Sequence, residues 1–283
     1  MAHYEPVNGI YRKVTKHYEP LDGAYRNVTK AYYPVDGVYR EYFGGGGGVG
    51  SLAVGDSVWI YRNEGPIPTL TEFIVVHQGN PDSAIYDASC NGTWLLAKDI
   101  WDVECPWDMD DYDEYGEVEE YYTNEYESSY IRNVLENTYK YHMAAKVKPF
   151  IKQVKIPYVS GLNTKQKVNT GTNGLSASIF LLSASEVGCV PGYYGMSNVG
   201  VCLDYFAGAT SKTRVAYYDG EEYDWWLRSP RPQSSTHAEG VQRTGSLGGG
   251  DCDGWKGVRP AFILDRNTPI DNSTGINIIV TEE

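Results

Sequence analysis

With 283 residues, 41% of them hydrophobic, the chain has room for one large domain or two ordinary ones and can bury a real core. Its 37 acidic against 24 basic residues leave a net charge of −13, which argues against nucleic acid, whose phosphates reward clustered Lys and Arg. The same charge suits a particle component kept dispersed by self-repulsion.

The chain opens on three copies of a 14-residue unit, HYEPVNGIYRKVTK, HYEPLDGAYRNVTK and AYYPVDGVYREYF. Tyr4, Tyr18 and Tyr32 align, as do Pro6, Pro20 and Pro34, Gly9, Gly23 and Gly37, and Arg12, Arg26 and Arg40. Asn8-Gly9, Asp22-Gly23 and Asp36-Gly37 supply the positive φ values of a type I′ turn, so a small β-meander or stacked hairpins is expected over residues 1–43. Such a unit is too small for a core of its own. It is expected to need a partner, another copy or a particle to dock on; the plain alternative is a tag without a role. Residues 44–50, mostly glycine, read as a flexible linker. The opening residues MAHYEPVNGI have neither the basic nor the apolar region of an export signal. Apolar runs such as residues 179–182 are far too short to cross a bilayer. A chain made and left in a cytoplasm is expected.

From Asp56 the pattern turns to strands: SVWIY, then TEFIVVHQG, then the apolar run from Trp94 to Ala97. Between Trp107 and Glu120 lie Asp108, Asp110, Asp111, Asp113, Glu114, Glu117, Glu119 and Glu120. Counted from Asp108, the Gly of a calcium loop would fall on Asp113, so a solvated insertion is the better reading and no metal is expected. Ile131, Val134, Leu135, Thr138 and Tyr139 have the spacing of one buried helix face, with Ser128 or Ser129 as cap. A second short helix is expected over 144–153, and Ser183 with Glu186 forms a capping-box pattern. With strands at both ends and helices between them, the expected fold class is α+β.

Chemistry is sparse. Of the five histidines, His3 and His17 lie in the repeats, His77 ends a strand, His142 ends the helix, and His237 sits in a polar loop where it could touch a ligand. There is no HExxH, no GxSxG and no phosphate-cradling glycine loop. No catalytic residue and no cofactor is therefore assigned. Cys90, Cys105, Cys189, Cys202 and Cys252 are odd in number and lack CxxC spacing, which signals neither a disulfide framework nor zinc; they read as mostly buried thiols. The 25 tyrosines suit a binding surface, where a stiff ring with a polar tip gives wide contact, and equally suit strands.

The last third carries the sharpest contrast. DWWLRSP and GVRPAFIL read as apolar strands, with Trp225 and Trp226 as core aromatics and Arg228 and Arg259 as partly buried, hydrogen-bonded scaffold. Between them runs a polar, glycine-rich stretch on a rigid frame, an arrangement that suits binding. Its candidate ligand-binding residues are Arg231, Gln233, Ser235, Thr236, His237, Glu239, Gln242, Arg243, Thr244, Asp251, Asp253, Trp255 and Lys256, expected to be largely exposed on one face. Trp255 and Arg243 are the expected hot spots. Gly245 and residues 248–250 are expected to let the backbone turn sharply.

EFIVVHQGNPD, YDASCNGTWLLAKDI, YESSYIRNVLEN, IKQVKIPY, NGLSASIFLLSASEVG, DWWLRSP and GVRPAFIL together resemble the C-type-lectin-like domains of tail and adhesion proteins from phages and prophages of gut bacteria. The repeats resemble the short VNG-type units that precede such domains. The resemblance implies a C-type-lectin-like domain over 51–283 behind a β-repeat arm, with 231–256 as a receptor-binding surface. In some members that segment is hypervariable, rewritten by a diversity-generating retroelement. It further implies a tail-associated virion protein that binds a host-cell surface protein or glycan. Residues 1–43 would then meet other virion proteins or build a homo-oligomer, a trimer being one such form. The sugar-binding signatures Glu-Pro-Asn, Gln-Pro-Asp and Trp-Asn-Asp are missing from this domain, which leaves calcium-mediated sugar binding without support. Two alternatives stay open: a structural or decoration protein of the virion, and an enzyme acting on cell-wall glycans.

Overall fold

The computed structural model describes residues 4–7, 10–13, 31–35, 38–41, 48–63, 69–143, 145, 147–161, 167–189, 199–272 and 275–279. In the repeats, β1 (Tyr4–Val7) pairs antiparallel with β2 (Ile10–Lys13), and β3 (Ala31–Val35) with β4 (Val38–Glu41). Val7 stands opposite Ile10 and Val35 opposite Val38, the register of two-residue hairpins. The expected turns Asn8-Gly9, Asp22-Gly23 and Asp36-Gly37 themselves lie outside the described residues. β2 also pairs with β3, Tyr11 opposite Tyr32 and Arg12 opposite Ala31, so the sheet order is β1-β2-β3-β4 and the first copy joins the third directly. Pro6 faces Tyr11 and Pro34 faces Tyr39. A proline has no N–H to give, so both fall at non-hydrogen-bonded pairs of the antiparallel ladder.

The main body is built on two larger sheets. One has seven strands in the order β15 (Ile179–Phe180), β22 (Ala261–Leu264), β7 (Gly92–Ala97), β6 (Thr69–Gly79), β5 (Ser57–Arg62), β24 (Asn277–Ile279) and β23 (Ile270–Asp271). The other has five, in the order β20 (Gly250–Asp251), β19 (His237–Val241), β18 (Trp225–Pro230), β21 (Trp255–Val258) and β8 (Asp102–Pro106). Small pairs surround them: β9 (Asp111–Tyr112) with β10 (Val118–Glu120), β11 (Val154–Ile156) with β14 (Leu175–Ala177), β12 (Tyr158–Val159) with β13 (Val168–Asn169), and β16 (Ala216–Tyr218) with β17 (Glu221–Tyr223). Every residue of β7, β18 and β22 is buried, so these read as continuous apolar runs rather than alternating ones. Trp94, Trp107, Trp225 and Trp226 are among the largest fully buried side chains.

This architecture corrects the expected α+β, C-type-lectin-like class: regular structure is mainly strand, 38% of residues, and the described residues hold one 13-residue helical segment, over 130–142. That segment follows its sequence signals. Ser129 caps it by accepting from the Arg132 N–H at 3.4 Å, and Ile131, Leu135 and Tyr139 face inward while Thr138 is exposed. The helix expected over 144–153 is not formed. Met143 bridges Arg62, Pro149 lies in a single 3-10 turn at Lys148–Phe150, and Ile151 bridges Leu264. The capping box at Ser183 is real, with Glu186 Oε2 accepting from the Ser183 N–H at 2.9 Å and Ser183 Oγ from the Glu186 N–H at 3.1 Å. Yet only one turn follows before Gly188 takes φ +71°. The expected linker also ends earlier than residue 50: Gly48 bridges Pro269, and Val49 is fully buried.

GVRPAFIL is two strands, because Pro260 cannot donate to a ladder and restricts the residue before it. The break carries the chain from one large sheet to the other, from β21 to β22, and the β7–β8 connection crosses between the same sheets. Arg259 ties both crossings. Its Nε donates to Ala97 O at 2.7 Å and one terminal nitrogen to Lys98 O at 2.9 Å, while the guanidinium lies 5.0 Å from the Trp225 ring centroid. Burial pulls Arg259 down to about 10.

Arg228 is likewise buried but has a counter-ion. It grips the Glu186 carboxylate with both terminal nitrogens and donates to Pro157 O and Leu181 O. Glu186 also accepts from the Tyr86 hydroxyl at 2.9 Å, and that oxygen accepts from the Val201 N–H at 3.1 Å. Removing one partner of a buried pair strands the other. Arg228→Met should therefore cost on the order of 3–5 kcal/mol, read as a lower urea midpoint, and adding Glu186→Gln should recover part of it. An unchanged midpoint in Arg228→Met would refute this role.

Four of the five cysteines are buried and Cys202 is exposed. Burial pushes the Cys90 thiol up to about 12 and raises Cys189, Cys202 and Cys252 as well. A thiol titration of the folded protein near neutral pH should find one accessible group, lost in Cys202→Ser, and all five only after unfolding.

Candidate functional site

The stretch expected to be a solvated loop is largely ordered. After β18 the chain turns at 231–236 and returns as β19 alongside it, Trp225 opposite Val241 and Pro230 opposite Ala238. β20 then pairs back on β19, His237 opposite Asp251. Ala238, Glu239, Gly240, Val241 and Cys252 are buried, so part of this segment, Glu239 included, lies inside and not on the exposed face expected of it.

The turn is held from outside by Asn124, which is itself buried. Its backbone N–H donates to Ser235 O at 2.8 Å. Its Nδ2 faces the carbonyls of Ser234 at 2.6 Å, His237 at 3.0 Å and Arg231 at 3.2 Å. Gly161 packs against Asn124 so closely that an added Cβ would lie 2.2 Å from its carbonyl oxygen and 2.5 Å from Oδ1.

The acidic segment corrects its reading as a mere solvated insertion, because its first aspartates accept backbone N–H groups. Asp108 takes those of Thr123 at 2.7 Å and Tyr130 at 3.0 Å, and Asp110 that of Tyr122 at 2.8 Å. The N–H groups of Trp107 and Asp108 both reach Cys252 O, at 2.8 and 2.9 Å, so this segment is bonded directly to the 231–256 region. Burial, then the charges of Asp253, Asp251 and Asp110, hold the Tyr122 hydroxyl above its ordinary range. Among the described residues no group of three or more His, Cys, Asp or Glu is arranged to hold a metal ion.

Of the thirteen expected binding residues, Gln233, Gln242, Arg243, Thr244, Asp251, Asp253 and Trp255 are exposed, Trp255 at 63%. Arg231, Ser235, Thr236, His237 and Lys256 are half-buried. Glu239 is 1% exposed, against the expectation that it faces solvent. Its carboxylate is the internal counter-ion of Arg231, with Nε at 3.0 Å, on a strand buried from Ala238 to Val241. Lys256 pairs with Asp224 at 3.2 Å across the Trp226 ring, and Asp224 also accepts the Arg243 N–H at 2.8 Å. His237 Nδ1 lies 3.2 Å from Asp251 Oδ1 and 2.9 Å from Ser234 Oγ. The residues thus gather in two groups, one around His237, Asp251 and Asp253, the other around Asp224, Arg243 and Lys256. Gly245 does take a positive φ, +78°, and sits against Ser211 O. Gly249 is required for space instead, its added Cβ falling 2.4 Å from Ala238 O.

The family model described as "Domain of unknown function (DUF6273)" matches residues 91–266, more than half of the chain. The chain belongs to that family. No curated protein and no solved structure matches it. The DUF6273 match takes in β7, both crossings pinned by Arg259, the Arg228–Glu186 pair and the whole 231–256 region.

Asn124, Asp224 and Tyr122 were not legible as site residues. One Asn in TNEY carries no signal until the fold brings residues more than 100 positions away onto it. Asn124→Asp would set a carboxylate oxygen against three carbonyls, and leaving those groups unsatisfied costs about 1–3 kcal/mol each. Faster amide exchange across 231–237 is the expected result in this variant and, through the clash of the added methyl with Asn124, in Gly161→Ala. Wild-type protection in both would mean that the turn holds itself.

Proposed function

We propose that this DUF6273 protein is a tail-associated adhesion protein of a phage virion, binding a protein or glycan on the host-cell surface through the 231–256 region. The observation that carries this reading is the contrast in that region: a backbone fixed from beneath by Asn124 and Asp224 presents Trp255, Arg243 and Asp253 to solvent. A pre-set backbone lowers the ordering cost of binding, and Trp with Arg are the residues that most often dominate interface energy. The sequence resemblance to phage and prophage adhesion proteins supports the biological setting, with residues 1–43 as the attachment or oligomerisation arm. Specificity would come from shape and hydrogen bonding, since Arg231, Lys256 and Glu239 are already paired within the protein.

The test is a grouped alanine scan read for binding of labelled protein to a panel of gut-bacterial strains and for melting temperature. Alanine at Arg243 with Thr244, and separately at Asp253 with Trp255, should abolish binding to a responsive strain with stability held. Binding retained in both groups would move the receptor site elsewhere; infection by particles carrying a scrambled 242–256 segment would favour a structural role.

A further inference from the structure

Among the described residues β1 and β4 are the outer strands of the arm, and their outer edges are complementary to each other. In an antiparallel sheet, a residue in a non-hydrogen-bonded pair with one neighbour points its N–H and C=O at the strand on its other side. Pro6 fixes that phase for the first hairpin: Tyr11, facing Pro6, turns its polar groups away from β1 and toward β3. There it meets Tyr32. Pro34 fixes the phase of the second hairpin in the same way. Tyr32 and Pro34 are two residues apart and share a phase, so Tyr32 points its N–H and C=O back at Tyr11, and the ladder stops where Pro34 has no N–H to offer.

The same reasoning applies at the outer edges. Tyr39 faces Pro34, so its N–H and C=O point out from β4, which has no neighbour on that side among the described residues. Tyr4 lies two residues from Pro6 and opposite Lys13, so its polar groups point out from β1. By repeat position Tyr39 is the counterpart of Tyr11, and Tyr4 of Tyr32. The contact that joins β2 to β3 is thus offered again, half on each edge.

We infer that a second copy of this chain takes up that offer: β4 of one chain adds antiparallel to β1 of the next, with Tyr39 opposite Tyr4. The contact is heterologous, so it closes into a ring or continues as a fibre. Strand addition of this kind draws its affinity from main-chain hydrogen bonds. This inference stands apart from the receptor reading and survives if the 231–256 region binds nothing.

The test uses full-length chains carrying Cys202→Ser. Tyr4→Cys and Tyr39→Cys proteins, one of them tagged, are mixed and mildly oxidised; a hydrogen-bonded antiparallel pair holds its Cα atoms about 5.5 Å apart, within disulfide reach. A tagged–untagged disulfide dimer should exceed either self-dimer severalfold. Light scattering on the unmodified chain should give multiples of 31.6 kDa that grow with concentration. Tyr39→Pro removes an outward N–H that the hairpin does not use, so it should shift the protein to monomer with the melting temperature of the body unchanged. A monomer at every concentration, cross-linking no greater in the mixture than in either protein alone, or multimers that persist in Tyr39→Pro would each overturn it. The last result would point to another surface or another virion protein.

Discussion

One buried ion pair organises this protein. Arg228 and Glu186 have no side-chain exposure, and taking both charges out of water is tolerable only if nearly every donor and acceptor is met. That requirement draws in the carbonyls of Leu181 and Pro157, the N–H of Ser183, the Tyr86 hydroxyl and, through it, the N–H of Val201. Five stretches of chain, far apart in sequence, are brought to one point. The cluster also explains why the Ser183 capping box starts no helix: the same Glu186 carboxylate that caps the turn is held by Arg228, in line with β18.

Arg259 solves a similar problem differently. It is held by two carbonyls and an aromatic face, which support the cation where no carboxylate grips it, and burial still lowers its pKa. The two arginines stand at opposite ends of the 231–256 region in sequence, one on β18 before it and one just past β21. Between them the backbone has little freedom, which leaves the exposed side chains as the adjustable part of the surface.

Much of the frame could be read from the sequence. Unbroken apolar runs marked β7, β18 and β22, Ser129 marked the helix start, and Trp225 and Trp226 were recognisable as core. The class was misread where local helix signals lost to sheet contacts. Pro149 and the bridges at Met143 and Ile151 took the helix expected over 144–153. The site was legible as a region but only partly by residue. A polar composition cannot distinguish Glu239, buried with the rest of β19 from Ala238 to Val241, from Asp253, which faces solvent. Asn124 shows the opposite failure, since its role exists only through contacts across more than 100 residues of chain.

The prolines of the arm also act against error. Strands slip most readily by two residues, because that shift keeps every side chain on its own face. In this sheet a slip toward the second turn would bring Tyr11 opposite Pro34, where one of the two main-chain bonds has no donor. Losing it costs about 1 kcal/mol, a large share of a contact only two residue pairs long. Because every copy of the repeat carries its proline at the same position, the penalty recurs wherever two units meet. Slips in that one direction are disfavoured by the chemistry of one imino acid, whatever side chains flank it.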